Sequence, residues 1–302
     1  MPTLLRYLHL DVFTSTPLEG NQLAVFPDPP ALDTDLMQRI AAEMAFSEST
    51  FIYPPSSGGN ARMRIFTPAE ELPMAGHPTI GSTFALAEVG RIPPGQERFV
   101  FELGVGPIDV SLEWGANGLS FAWMTQLLPA FGPKLPNRDE LALALGVELE
   151  DLDGDHPAEV VSCGVPFLFL PLRSRAAVDR VSIDRRALTK TFTAAGVDEL
   201  AVFVFTTDKG DGQETVYSRM LAPAFGIAED PATGSASGPL GAYLFRHGLV
   251  PRDRLAQFVS LQGVKMLRPS RIYVSIEGQG DDITRVRVGG RSVLVGEGQL
   301  HL

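Results

Sequence analysis

Two stretches of the sequence hold the residue types needed to move a proton or grip an anion. Glu229-Asp-Pro-Ala-Thr-Gly-Ser235 sets two carboxylates, a glycine and a serine before an apolar run with Leu240, Tyr243 and Leu244 at helical spacing. Gly76-His77-Pro78 precedes a similar run that reaches Leu86. A helix starting this way aims unpaired backbone N–H groups, and the positive end of its dipole, at whatever lies in front. Such an end favours an anion. Asp230 can accept from a substrate amine or hydroxyl, or move a proton, and Ser235 is a natural N-cap that can also donate to a substrate carboxylate. The N–H groups around Gly76 and Gly234 can hold that carboxylate too. His77 is expected to be neutral, because the helix start disfavours an imidazolium, and a neutral ring can polarise or orient a substrate group. Each has a plainer structural reading: a cap for His77 and Ser235, and for Asp230 a carboxylate answering its own helix dipole.

Proton transfer at carbon needs a base against the C–H bond and a means of holding the charge that develops. Glu48 is the candidate base. It stands in the polar trio Ser47-Glu48-Ser49, which is read as ending a helix, between Phe46 and Phe51. Apolar neighbours disfavour the charged form, which suits a group that must both take and return a proton. The plainer reading is an exposed acid at a helix end. Asn21 closes a turn, Thr16-Pro-Leu-Glu-Gly-Asn21, between two predicted strands.

The two stretches are copies of one another. Glu71 and Glu229, Gly76 and Gly234, His77 and Ser235, Leu86 and Leu244, and Gly90 and Gly248 are all 158 positions apart. Upstream, Arg64-Ile-Phe-Thr-Pro68 lies over Arg219-Met-Leu-Ala-Pro223, and Gly20 with Leu23 to Pro27 over Gly164 with Phe167 to Pro171. Two copies at this period mean duplicated domains, not a solenoid.

Around them, strands are expected over 4–13, 22–26, 50–53, 62–66, 99–103, 107–113 and 119–124. Asp33 is expected to cap a helix running to about Phe46, with Leu36, Met37, Ile40, Ala41 and Met44 on one face. Leu128 to Asn137, with Pro129, Pro133 and Pro136, reads as a linker. The second half repeats the plan, with a helix near 184–195 besides the motif helix, and strands near 159–172, 200–206, 214–221, 256–261 and 270–277. It ends in a hairpin turning at Gly289-Gly290. Each half is thus expected to be strand-rich with two helices. Helix and strand do not alternate regularly, which counts against a Rossmann fold and for an α+β architecture.

Composition bounds the function. The chain has 302 residues, 44% of them hydrophobic and 20% charged, as in a folded protein with room for two cores. It holds no apolar run long enough to span a bilayer and no signal-peptide pattern at its start. A net charge of −11 argues against nucleic acid or an anionic membrane as partner. Cys163 is the only cysteine, so no intramolecular disulfide forms, and a cytoplasmic location is expected. It lies in the apolar Val160-Val-Ser-Cys-Gly-Val and reads as a small buried hydrophobe. The five histidines show no ligand spacing, and Asp151, Asp153 and Asp155 fail the register of a calcium loop. No metal and no cofactor are expected.

Six motifs in order resemble the PhzF family of phenazine-biosynthesis isomerase-like proteins: Gly20-Asn-Gln-Leu-Ala-Val, Phe46-Ser-Glu-Ser-Thr-Phe, Arg64-Ile-Phe-Thr-Pro, Gly76-His-Pro-Thr-Ile-Gly, Glu229-Asp-Pro-Ala-Thr-Gly-Ser-Ala and Gln262-Gly-Val-Lys-Met-Leu-Arg-Pro-Ser. The match runs from about residue 8 to the C-terminus. Leu267 departs from the family's usual glycine before Arg-Pro, which puts a local turn in question, and Ser49 stands where threonine is common. The resemblance implies a diaminopimelate-epimerase-like fold: two similar domains, each a curved sheet around a central helix, with the site in the cleft between them. The domains are expected at 1–127, rejoined by the terminal hairpin 284–302, and at 128–283. It further implies a cofactor-independent isomerase acting on a small carboxylated substrate, and a homodimer. Glu48 is then the acid/base, His77, Asp230 and Ser235 are site residues, and Asn21 is a weaker carry-over. The fold's epimerases and racemases use one thiol per half, so a chain with a single cysteine is no two-thiol racemase. Two other readings fit the same residues: a silent binding protein on this fold, and a lyase or hydrolase using Glu48.

Overall fold

The computed structural model describes residues 4–210, 212 and 214–302. The chain divides into two compact units: one runs up to Thr125 and resumes at Val288–Leu302, and the other is Gln126–Arg287.

The first unit opens with β1 (Leu4–Val12) and β2 (Asn21–Phe26). Helix α1 (Thr34–Met44) starts at Asp33, whose carboxylate accepts the Leu36 N–H, and stops at Ala45 in a left-handed conformation. There follow β3 (Glu48–Tyr53), β4 (Ala61–Phe66), the two-residue β5 (Glu71–Leu72), α2 (Gly76–Glu88), β6 (Arg98–Leu103), β7 (Gly106–Gly115) and β8 (Gly118–Gln126). β2 and β3 are parallel, joined through α1, and β4 and β6 are parallel, joined through β5 and α2. The pairs β1–β2, β3–β4, β6–β7 and β7–β8 are antiparallel.

The second unit begins with β9 (Ala130–Leu135), α3 (Arg138–Leu145), β10 (Ala158–Ser162) and β11 (Pro166–Pro171). It continues through α4 (Arg175–Arg180), α5 (Arg185–Ala194), β12 (Ala201–Thr206), β13 (Val216–Ala222) and β14 (Ile227–Asp230). Then come α6 (Gly234–His247), α7 (Arg252–Leu255), β15 (Phe258–Gln262) and β16 (Ser270–Gln279). β17 (Asp282–Gly290) leads to β18 (Ser292–His301), which pairs antiparallel with β1. The senses of pairing repeat those of the first unit: β10–β11 antiparallel, β11–β12 parallel, β12–β13 antiparallel, β13–β15 parallel, β15–β16 antiparallel.

Each unit wraps its sheet around one buried helix, the α+β architecture expected. α2 packs on β1, β2, β3 and β18 and is buried on almost every side, as is α6 against β10, β11 and β16. Gly81 lets α2 approach closely, since a Cβ there would lie 2.5 Å from Leu23 and 2.6 Å from Val12. A second layer in the first unit packs α1 through Met37, Ile40 and Ala41 against Phe26, Phe51 and Phe66 on the sheet's other face.

Four expectations need correction. Leu128–Asn137 is no linker: most of it is β9, paired with β10, and the ladder shifts register opposite Gly132-Pro133, where proline has no N–H to give. Gly289-Gly290 lies inside β17, not in a turn. There glycine serves close packing: a Cβ would come within 2.6 Å of the Trp123 ring at Gly289 and 2.4 Å of the Phe13 ring at Gly290. The second unit has more than two helices, because α3, α4 and α7 are short and too weakly periodic to stand out. Cys163 sits just beyond β10, buried, not within a strand.

Candidate active site

Four of the candidate residues meet in the first unit. α2 begins at Gly76, so His77 is its second residue, and Pro78 falls in the first turn where a missing N–H costs nothing. Glu48 is the first residue of β3. Its Oε2 lies 3.3 Å from His77 Nε2, with the imidazole 4% exposed and the carboxyl 15%. Asn21, the first residue of β2 and fully buried, places its Nδ2 3.3 Å from His77 Nδ1.

The Glu48–His77 separation is that of an ion pair, but the ring is neutral. Burial outweighs a hydrogen bond with the Gln22 main chain and brings the His77 pKa down to about 3. Neutrality therefore comes chiefly from burial, where the helix dipole alone was expected to supply it. At neutral pH His77 cannot serve as a cationic acid. It lies within reach of the Glu48 carboxyl.

The environment of Glu48 also differs from expectation. The trio Ser47-Glu48-Ser49 does not end the helix, which stops at Ala45; Glu48 is already in a strand. Side chains alternate along a strand, so Glu48 and Thr50 share one face and Phe51 points to the other. Thr50 Oγ1 meets Ser82 Oγ of α2 at 2.8 Å, while Phe51 stacks on Phe26 in the α1 layer. Phe51 therefore does not flank the Glu48 carboxyl. Phe46 packs at a tilt against His9, with ring centroids 4.6 Å apart.

The second unit holds the other three. α6 begins at Gly234, 158 positions after α2. Ser235 is not its N-cap. Thr233 takes that position, and its hydroxyl donates to Asp230 Oδ2 at 2.6 Å instead of capping the helix; Ser235 lies in the first turn, partly exposed. Asp230 is buried and closes β14. At neither helix does the N-cap side chain, Ala75 or Thr233, hydrogen-bond the first turn. At α6 the Thr233 carbonyl accepts the Ala236 and Ser237 N–H groups, at 3.2 Å each.

The repeated Arg and Glu brace these starts in the same way. Arg64 grips Glu71 through two hydrogen bonds of 2.7 and 2.6 Å, and Arg219 grips Glu229 through two of 3.0 and 2.8 Å. In the second unit, Gln262 is a contributor that residue reasoning missed. It is fully buried and bonds both Asp230 and Thr233. Its one sequence signal was a polar amide closing the apolar strand Phe258-Val-Ser-Leu-Gln262.

Cys163 is remote from this chemistry in kind: burial pushes its thiol up to about 12, so it is no thiolate at neutral pH. Among the described residues, no helix is long and apolar enough to cross a membrane.

The PhzC-PhzF family model, described as "Phenazine biosynthesis-like protein", matches residues 10–298. A trans-2,3-dihydro-3-hydroxyanthranilate isomerase of Pseudomonas aeruginosa is 39% identical over 298 residues, covering 98% of this chain and 99% of that protein. A crystal structure of a Bacillus anthracis PhzF-family phenazine biosynthesis protein superposes with a TM-score of 0.89 at 26% identity, covering 99% of this chain and 100% of that one. A hydroxyproline epimerase from Agrobacterium vitis shares the fold alone, with a TM-score of 0.66 at 14% identity over 99% of this chain and 93% of its own. A family match over nearly the whole length, with a named isomerase aligned end to end, makes this chain an isomerase and a member of the PhzC-PhzF family.

Proposed function

We propose that this isomerase moves a proton between carbons of a small, carboxylated, cyclic substrate without a cofactor, with Glu48 as the acid/base. The carrying observation is the Glu48 carboxyl held 3.3 Å from a buried, neutral imidazole at the start of a central helix. The reaction class follows from what these groups can do. Glu48 takes a proton from one ring carbon, the electron pair enters the ring's π system, and the protonated carboxyl then delivers a proton to another carbon. No atom is gained or lost, so no oxidant or leaving group is needed.

His77 orients the carboxyl. The N–H groups beginning at Gly76 and Gly234, with Ser235, hold the substrate's carboxylate and spread the charge that develops. Asp230 accepts from its amine or hydroxyl. Asn21 fixes the imidazole through Nδ1. The substrate we assign is trans-2,3-dihydro-3-hydroxyanthranilate or a close analogue, because the 39%-identical relative is named for it, and the step belongs to a biosynthetic pathway of the phenazine type.

The test is to incubate the protein with that compound in D₂O and follow it by proton NMR. The proposal expects isomerisation with deuterium entering at ring carbon and no dependence on added metal or cofactor. Binding of the compound without its isomerisation would contradict the proposal.

A further inference from the structure

Gln262 spends its whole side-chain amide on one four-residue turn. Its Oε1 accepts the Thr233 N–H at 3.1 Å, and its Nε2 donates to the Asp230 carbonyl at 2.8 Å and to Thr233 Oγ1 at 3.0 Å. These bonds fix the amide's orientation, since the end that accepts from an N–H must be the oxygen. Thr233 is fixed in turn. Its oxygen accepts from Gln262, and its single proton goes to Asp230 Oδ2 at 2.6 Å. Gln262 is 0% exposed, Asp230 6% and Thr233 7%. Water therefore competes poorly for these bonds, and each group would be costly to leave unpaired. The residue after Gln262 completes the grip: Gly263 has φ +77, and a Cβ on it would lie 2.5 Å from the Pro231 carbonyl oxygen. Gln262 and Gly263 thus close on the Asp230–Thr233 turn that delivers the chain to α6.

We infer that Gln262 is a positioning residue of the isomerase, holding the Asp230 carboxylate, through Thr233, and the start of α6 in their working geometry. The functional half of this inference rests on the proposed role of Asp230. In the first unit Gly104 stands 158 positions before Gln262, and the amide against the helix start is Asn21 on β2.

The full chain is tested as wild type, Gln262→Leu, Gln262→Glu, Thr233→Val, Thr233→Ser and Gln262→Leu/Thr233→Val. The first readout needs no substrate: amide exchange at Thr233, followed by NMR at a pH where thermal unfolding shows each protein folded. Exchange at least about tenfold faster in Gln262→Leu is expected, because the N–H loses its acceptor, with little change in Gln262→Glu, which still accepts it. Unchanged exchange in Gln262→Leu overturns the inference. The second readout is kcat/KM on trans-2,3-dihydro-3-hydroxyanthranilate. Gln262→Leu is expected to lose about 10- to 100-fold, since it cannot donate to Thr233, and Thr233→Ser is expected to restore most of what Thr233→Val loses. If Gln262 acts through Thr233, the double variant is no worse than the poorer single one. Losses that simply multiply in the double variant contradict the positioning role. Faster exchange in Gln262→Leu, with a wild type inert toward the compound, upholds the grip on the turn and sinks the functional reading instead.

Discussion

At the start of α2, a buried neutral imidazole lies 3.3 Å from a carboxyl on β3; at the start of α6, the ground is held by Asp230, tied to Thr233 and through it to Gln262. The frame around the two is shared. The helices start 158 residues apart, the strand pairs run in the same senses, and an Arg–Glu fork braces each approach. The contents are not. Position for position, His77 answers to Ser235, and Asp230 answers to Leu72. The repeat has two matching helix starts, with a carboxyl–imidazole pair at one and a carboxylate tied to a threonine and a glutamine at the other. The duplicated scaffold is symmetric, and the side chains at its two helix starts are not.

The largest expected effect breaks the shared frame. Arg219 is 7% exposed and, besides gripping Glu229, donates to the carbonyls of Val178 and Val181. Arg219→Ala would leave a carboxylate that is only 14% exposed, and those carbonyls, without their cation, at a cost of about 3–5 kcal/mol. Arg64→Ala, in the more exposed first copy, should cost no more than about 1 kcal/mol. Urea unfolding of both variants measures the difference; equal costs would show that burial is not what separates the forks.

Next comes acid. His77 is held neutral down to about pH 3, whereas in the unfolded chain it protonates near 6.5. Between those values the unfolded state binds the extra proton, so stability is lost as pH falls through that window. On the order of a few kcal/mol should go. His77→Gln should flatten the fall between pH 6.5 and 4 in chemical unfolding, and a profile as steep as wild type would contradict the assignment.

Leu267 offers a smaller gain. It has φ 58, in the left-handed region, and is 85% exposed. The turn put in question by the missing glycine is formed, with leucine carrying the strain. Leu267→Gly relieves about 1–2 kcal/mol of strain and returns part as unfolded-chain entropy. A net stabilisation of about 0.5–1 kcal/mol is expected in thermal unfolding. The smallest effect belongs to Cys163→Ala, which should leave turnover within about twofold of wild type, because a buried, protonated thiol takes no part in proton transfer at carbon.

What could be read from sequence follows from which signals are local. The helix starts at Gly76 and Gly234 were legible because a constant spacing across five pairs has no other simple cause. α1 was legible because Asp33 is a capping residue followed by a one-sided apolar pattern. Glu48 was singled out, but its surroundings were misjudged. The polar trio resembles a helix end, and which face of β3 a residue occupies depends on the register with β2 and β4. Ser235 was taken for a cap because serine before an apolar run usually is one; the carboxylate three residues before Thr233 could not be seen to claim its hydroxyl. Gln262 was quoted in a motif but given no role, since a long-range amide contact to a turn 29 residues earlier leaves no periodic trace.

The central claim is that Glu48 carries the proton. The direct measurement is deuterium incorporation from D₂O at ring carbon of trans-2,3-dihydro-3-hydroxyanthranilate by wild type, Glu48→Gln and Asp230→Asn, with binding of the compound to each followed by calorimetry. Glutamine keeps the size of Glu48 and cannot take the proton, so Glu48→Gln should bind the compound yet lose a factor of about 10² to 10⁴ in incorporation. Asp230→Asn should weaken binding while still exchanging deuterium at carbon. Wild-type incorporation by Glu48→Gln, with Asp230→Asn inert, would contradict the account and make Asp230 the base.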